Sequence, residues 1–329
     1  RIVKFAYDNI PFYRDFYKKQ NFNPGQLLTE KDWSAVPIIT KHDIKNNTQN
    51  IINPSVPKSR LRISTTGGST GVPLLVYFDK KVPLDSIGWR TMSWWGIAPW
   101  ENQAYVFRSV RKGFAKIINS IIWFPTRRAL LDCSSMSTDG IDGFVTMINK
   151  IKPTFIQGYV GGVYDLAKHI RAKSLKVPKL KAIWVTSAPL SESTRSFIEE
   201  TFKAPVYDQY GCSEMFWLAA ECKLKNGLHA LSDIRHIEFL NENNLIVEDG
   251  DFGEVVITDL ENEVFPIIRY KNGDSGRNLK HRCECGLPFP LIDKIKGRTT
   301  DNIKVPSGIT VNGSYLTTIF DDYPHLIDG

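Results

Sequence analysis

Apolar residues recur on a helical period at the start of the chain. Ile2, Val3, Phe5 and Ala6, then Phe12, Phe16 and Tyr17, predict an amphipathic helix over residues 1–20, broken at Pro11. Thr29 with Asp32, and Thr40 with Asp43, have the spacing of helix N-caps followed by an acid at the third helical position. Strand-like and helix-like runs then alternate. Residues 61–63 and 73–78 read as strands around a glycine-rich loop. Residues 103–108, 154–157 and 181–186 read as strands separated by helices over 138–151 and 159–173. Ser191 opens a further helix, with Thr194 and Arg195 in its first turn, and a short strand follows at 205–208. This alternation predicts parallel sheet covered by helices, an α/β body.

The second half has a different rhythm. Residues 228–231, 236–240, 245–248, 253–259 and 266–270 are short strand-like runs joined by Asn/Gly/Asp turns. That spacing suits antiparallel sheet or a distorted barrel. A Gly/Arg/Asp-rich connector at Gly297–Arg298 is the best candidate boundary, giving domains of 1–297 and 298–329.

Composition narrows the classes. The 329 residues would fill about two domains. Hydrophobic residues at 42% and charged residues at 23% exclude a disordered or collagen-like chain. The richest apolar run, 117–124, is interrupted by Asn119 and Ser120 and falls well short of the ~18 residues a membrane span needs. Lys and Arg exceed Asp and Glu, 42 against 35. A net +7 suits anions such as ATP but is too diluted by acids to indicate nucleic acid. Five cysteines do not make a disulfide scaffold. The chain begins at Arg1 and ends in the run 324–329, and both ends read as cropped.

The strongest local motif is the loop Ser64-Thr65-Thr66-Gly67-Gly68-Ser69-Thr70-Gly71-Val72-Pro73. Glycines let backbone N–H groups approach phosphate oxygens, and hydroxyls add donors. Three readings stay open on these residues alone. They are a phosphate cradle, a plain polar turn, or a hydrolase elbow at Gly67-x-Ser69-x-Gly71 with Ser69 as nucleophile. The elbow needs a strand running into a helix, whereas residues 72–78 read as a strand. Three more clusters follow in order: Tyr207-Asp208-Gln209-Tyr210-Gly211-Cys212-Ser213-Glu214, then Ile268-Arg269-Tyr270-Lys271-Asn272-Gly273-Asp274, then Gly297-Arg298-Thr299-Thr300-Asp301. Each alone is readable as a turn with solvated charges; together, with the loop, they are hard to dismiss.

With these motifs the chain resembles the adenylate-forming acyl ligase superfamily. Within it, the chain looks like the phenylacetate–CoA ligase family, especially CapK-type members from surface-polysaccharide clusters. The likeness covers nearly the whole chain, including the opening Ala6-Tyr7-Asp8-Asn9-Ile10-Pro11-Phe12-Tyr13. It departs at Gly67, where a serine is common, and at Leu74, where many members carry lysine. The resemblance implies that Thr66, Gly67, Gly68, Ser69, Thr70 and Gly71 cradle phosphate and that Ser187, Ala188 and Pro189 line the adenine. Tyr210 would stack on that ring, within the nucleotide-binding segment formed by Asp208, Gln209, Gly211 and Ser213. Glu214 would hold Mg²⁺ beside the α-phosphate, Asp274 would accept from the ribose hydroxyls with help from Arg298, and Asp301 would be the hinge of a C-terminal lid. It further implies ATP-dependent activation of a small carboxylic acid as acyl-adenylate, transfer to CoA or to an amine or hydroxyl acceptor, and a cytoplasmic enzyme of the acid–thiol ligase class. The lid lysine of such enzymes has no counterpart among the 28 residues after Asp301, so the chain reads as part of a longer enzyme. Oligomeric state stays open, a dimer included.

Cys222, His229 and the pair Cys283-x-Cys285 supply four soft ligands from two turns, a donor set suited to tetrahedral Zn²⁺. Their spacing leaves a zinc site and unpaired cysteines both open, and the resemblance favours structural zinc. Cys133 and Cys212 read as small filler residues, and His169 and His236 as solvated or satisfied. Trp89, Trp94, Trp95 and Trp100 could floor an acyl pocket but read better as core. Gln157-Gly158-Tyr159 resembles the family segment near the acyl and α-phosphate site. Outside the ligase reading stand a zinc-stabilised, non-catalytic nucleotide-binding module and a serine hydrolase using Ser69.

Overall fold

The computed structural model describes residues 1–27, 29–65, 73–108, 118, 121–298, 302–304 and 310–312. The opening helix divides where proline dictates. Helix α1 (Ile2–Asn9) ends at Ile10, and α2 (Pro11–Lys19) starts with Pro11 in its first turn, where no N–H is missed. Both threonine–aspartate boxes form. The box at Thr29 opens a short 3₁₀ helix, Glu30–Ala35, and the one at Thr40 opens α3 (Lys41–Ile51). Strands β1 (Leu61–Thr65) and β2 (Leu75–Asp79) pair antiparallel, with Thr65 opposite Leu75, and α4 (Asp85–Trp94) follows.

The α/β stretch then unfolds in order: β3 (Gln103–Phe107), β4 (Arg128–Asp132), α5 (Thr138–Ile151), β5 (Phe155–Tyr159), α6 (Val160–Ala172), β6 (Ala182–Thr186), α7 (Glu192–Phe202) and β7 (Val206–Cys212). The remainder holds β8 (Phe216–Glu221), β9 (Leu228–Ala230), β10 (Arg235–Leu240), β11 (Gly253–Asp259), β12 (Tyr270–Gly276), β13 (Leu291–Ile292) and β14 (Gly297–Arg298). Three departures from expectation stand out. Residues 245–248 make only an isolated bridge, Ile246 to Leu240, instead of a strand. Residues 266–269 precede β12 rather than forming a strand, because Arg269 takes a left-handed backbone (φ 47°) that breaks extension. The helix α4 and strands β4 and β8 lack the tidy periodicity that would announce them.

Two compact units emerge. The first comprises Arg1–Leu84, Gly211–Ala219 and His229–Asn302, and the second Asp85–Tyr210, Ala220–Leu228 and Ile303–Gly329. In the second, β4-β3-β5-β6-β7 lie side by side, and the pairs β3–β4, β3–β5, β5–β6 and β6–β7 are all parallel. Helix α5 shows why the helices pack as they do. Ser137 Oγ caps it at Gly140 N, Ile141, Phe144, Val145, Ile148 and Ile151 recur on one buried stripe, and Lys152 ends it in left-handed backbone. Its stripe joins Val163, Leu166 and Ile170 of α6 and Ile156, Ile183 and Val185 of the strands in one core. Fully burying each such side chain is worth roughly 1.5–3 kcal/mol. Gly158 on β5 is obligatory, since a Cβ there would sit 2.5 Å from the Val106 carbonyl oxygen.

In the first unit, β10-β11-β12-β14 form an antiparallel sheet. The β11–β12 ladder passes from Glu254↔Ser275 to Val256↔Lys271 with one residue between them on β11, Val255, against three on β12. The surplus makes β12 bulge at Asn272-Gly273-Asp274, with Gly273 at φ +85°. Buried Tyr13 of α2 donates to Pro266 O (2.9 Å) and accepts from Ile268 N (3.1 Å), fixing the approach to β12.

Candidate functional site

The parallel sheet sets one part of the site. Register pairs Tyr159 with Thr186 and Thr186 with Gln209, so β5 and β6 reach their carboxyl ends level with one another while β7 runs on to Cys212. Ligands of open α/β sheets bind outside that edge. Tyr159 ends β5, Ser187 follows the end of β6, and Tyr210 lies next along β7. Ser187 has φ 77°, a conformation that a non-glycine residue adopts only under constraint, and Ser187, Ala188 and Pro189 are exposed. Tyr210 is 9% exposed. Gln209 is buried and donates its amide to Tyr210 O (2.7 Å), a backbone-bracing role. Asp208 is buried, and its N–H donates to Glu221 Oε2 (2.8 Å). Glu221 in turn accepts both ends of the Arg195 fork at 2.9 and 2.7 Å, so a buried ion pair supports the strand that carries residues 208–210.

The turn Gly211–Glu214 belongs to the first unit and is held residue by residue. Ser64 Oγ, at the end of β1, donates to Ser213 O (2.9 Å). Tyr270 OH donates to Glu214 Oε1 (3.1 Å), and Arg235 Nη2 donates to Met215 O (3.0 Å). Arg235 is itself paired with Asp259 at 2.7 Å, both residues 2% exposed. Glu214 is buried at 7%. The β12 bulge sets Asp274, whose Oδ2 accepts from Asn272 Nδ2 (2.7 Å) and which pairs in register with Arg298. Burial pushes the Cys212 thiol well up, and the carboxylates of Glu214 and Asp274 push it further.

Of the sequence-predicted residues, Glu214, Ser213 and Asp274 are brought together in the first unit, and Ser187, Ala188, Pro189 and Tyr210 in the second. Thr66, Gly67, Gly68, Ser69, Thr70, Gly71 and Asp301 lie outside the described residues, as does the side chain of Arg298. The flanks of the loop are β1 and β2 of a hairpin, not the strand and helix a nucleophile elbow requires. Leu74, where a lysine is common in the resembled family, is 1% exposed and belongs to the core. Trp95 is buried and stacks on Tyr207 (5.0 Å, 2°), as core packing requires, whereas Trp100 is 73% exposed. His169 is satisfied by Asp142 at 2.7 Å. Sequence reasoning passed over Arg235 and gave no role of their own to Ser64 and Tyr270, which both stood in motifs it singled out. Tyr270 stood within a cluster singled out for its aspartate.

Cys222, His229, Cys283 and Cys285 bring one ligand atom each within 4.8 Å of one another. His229 Nδ1 faces Phe289 O (3.2 Å), which turns Nε2 toward Cys285 Sγ (3.3 Å). Burial lowers the His229 pKa, the Phe289 contact opposing it, and so favours the neutral imidazole a metal needs. Backbone N–H groups of Leu224 and Leu287 donate to Cys222 Sγ and Cys285 Sγ, both at 3.4 Å. Three thiols and an imidazole gathered this closely are a donor set of the kind that a closed tetrahedral zinc site takes.

No family model matches the chain. Among curated proteins it is similar to CapK of Staphylococcus aureus, 24% identical over 337 residues, covering 94% of this chain and 69% of that protein. It is similar also to the phenylacetate–coenzyme A ligase of Pseudomonas putida, 25% identical over 329 residues, with 94% and 70% covered. Among solved structures, a 2-hydroxyisobutyryl–CoA ligase in the postadenylation state with 2-HIB-AMP superposes with TM-score 0.81 at 22% identity, covering 98% of this chain and 70% of that one. The fold is that of the adenylate-forming ligases, and the resemblance read from the motifs is borne out.

Proposed function

We propose that this chain is the nucleotide-binding body of an adenylate-forming acid–CoA ligase. The carboxylate oxygen of a small acid attacks the α-phosphorus of ATP, the bond to the bridging oxygen breaks, and pyrophosphate leaves. The acyl group then passes from AMP to the CoA thiol. The observation that carries this reading is the pair Glu214 and Asp274: Tyr270, which opens β12, donates to Glu214 Oε1 (3.1 Å), and Asp274 lies on the same strand. Each acid stands in a motif that resembles the family's metal-side and ribose-side positions.

The chain's own residues supply positioning more than covalent chemistry. Ser187, Ala188 and Pro189 offer an exposed, conformationally fixed edge for adenine, and Tyr210 a ring to stack on it. Asp274 accepts from the two ribose hydroxyls, and the hydroxyls and glycines of residues 66–71 cradle phosphate. Mg²⁺, held by Glu214 when bound, would neutralise charge on the α-phosphate. CoA as acceptor rests on the names of the similar ligases, and ATP and CoA as substrates favour a cytoplasmic location. By the same likeness we assign residues 1–297 to the AMP-binding body and 298–329 to the hinge, with Asp301, leading into a lid.

Zn²⁺ in the Cys222/His229/Cys283/Cys285 set would be closed to substrate and therefore structural. ATP–pyrophosphate exchange over a panel of carboxylates tests the reaction. Exchange that requires one class of acid and is lost in Glu214→Gln, with melting unchanged, is expected. Absence of exchange with every acid, together with no binding of ATP or AMP, contradicts the proposal.

A further inference from the structure

Glu214 is not left to find its own orientation. Three consecutive residues, 213 to 215, are each gripped from a different strand: Ser213 O by Ser64, Glu214 Oε1 by Tyr270, and Met215 O by Arg235. The grip is rigid at its roots. Arg235 is locked by its buried pair with Asp259, and Tyr270 is 1% exposed. Behind Tyr270, Arg269 donates to Glu238 at 3.0 and 2.9 Å and to the carbonyls of Ser34 and Val36 at 2.7 and 2.6 Å. A carboxylate that serves only stability does not need so much fixing at 7% exposure. One that must meet a metal–nucleotide complex in a single geometry does, because small misplacement costs rate.

We infer that Tyr270 is a positioning residue for the Glu214 carboxylate, and that Ser64 and the Arg235–Asp259 pair hold the turn that presents it. This rests on the metal-side role proposed for Glu214. Tyr270 opens strand β12 and Asp274 lies in its bulge, so the strand that supports the metal-side acid also presents the ribose-side acid. Tyr270 touches Glu214 through its phenolic oxygen, so Tyr270→Phe deletes the hydrogen bond and keeps the ring.

The test is the Mg²⁺ dependence of ATP–pyrophosphate exchange in the parent, Tyr270→Phe, Ser64→Ala and Glu214→Gln, with AMP affinity and melting measured on each. Tyr270→Phe is expected to raise the Mg²⁺ concentration for half-maximal exchange about tenfold, the usual effect of losing a hydrogen bond to a charged group. Its AMP affinity without Mg²⁺ should stay near the parent's and its melting should fall only as far as one lost buried hydrogen bond requires, whereas a purely structural role for the hydroxyl would lower melting and leave the Mg²⁺ curve unmoved. Ser64→Ala should shift the same curve in the same direction by a smaller factor, and carries the test should Tyr270→Phe fail to fold. Parent-like Mg²⁺ curves in both variants, beside an impaired Glu214→Gln, overturn the positioning role and leave the function standing. A parent-like Glu214→Gln overturns the metal-side role and this inference with it.

Discussion

Each unit of this protein is organised around a buried arginine–glutamate pair, and the two pairs work over different distances. Arg195 and Glu221 brace elements close in sequence: Arg195 also reaches Val206 O (2.6 Å), and Glu221 also accepts from Asp208 N. Arg269 and Glu238 gather distant ones. Arg269 binds carbonyls more than two hundred residues away at Ser34 and Val36, and Glu238 accepts from Trp33 Nε1 (2.9 Å). The first pair backs a strand whose end faces the ligand edge of a parallel sheet. The second backs the strand that carries Tyr270 and Asp274. A site supported locally is legible in sequence; one supported by long-range carbonyl contacts is not, because carbonyls have no sequence signature.

Breaking the pairs should give the largest effects. Arg269→Ala leaves Glu238 buried and uncompensated, and is expected to cost about 3–5 kcal/mol in urea unfolding. Arg195→Ala should fall toward the lower end of that range, and a loss below about 1 kcal/mol in either would refute its role as an organising pair. Proteolysis should then sharpen the contrast, with Arg269→Ala first opening peptides of the first unit and Arg195→Ala those of the second. Zinc removal by chelator should lower the melting temperature before it alters AMP affinity. Elemental analysis should find one zinc per chain, lost in Cys283→Ser; parent-like melting after full chelation would contradict a structural ion.

Smaller effects follow at the ribose-side acid and at the surface. Asp274→Ala should weaken AMP binding by roughly 1–3 kcal/mol, and Gly273→Ala should destabilise by about 1–2 kcal/mol because φ +85° strains any side chain. Calorimetry and urea melts separate the two. Hydrogen bonds from Lys173 and His169 hold the Asp142 carboxyl below its usual range. Its contribution is therefore present above the ordinary carboxylate range and lost as pH falls through the lowered value. The melting difference between parent and Asp142→Asn should shrink on acidification, and a difference growing toward low pH would reverse the assigned sign.

The α/β half was legible because its cues are local. Ser137 and Ser191 cap helices that begin within a residue of where their spacing predicts, and Pro11 divides the first helix at its own position. The antiparallel half was legible as a class but not in detail. Residues 266–270 are apolar enough for a strand, yet Arg269 turns left-handed to reach Glu238, and pairing starts only at Tyr270. Within the site, Asp274 was marked by its Asn-Gly turn and Glu214 by the turn it closes. Tyr270 had no such mark, since its role exists only once β12 lies against residues 213–215. The metal donors were legible as types, and their approach to within 4.8 Å depends on loops that sequence does not register.

Whether Asp274 and Glu214 serve one nucleotide is decided by a crystal structure of the protein with AMP and Mg²⁺. The predicted result is ribose hydroxyls within hydrogen-bond distance of the Asp274 carboxylate, adenine against Ser187–Pro189 and Tyr210, and the metal on Glu214 with Tyr270 still bonded to its other face. AMP bound elsewhere, or ribose beyond hydrogen-bond reach of Asp274, would contradict it.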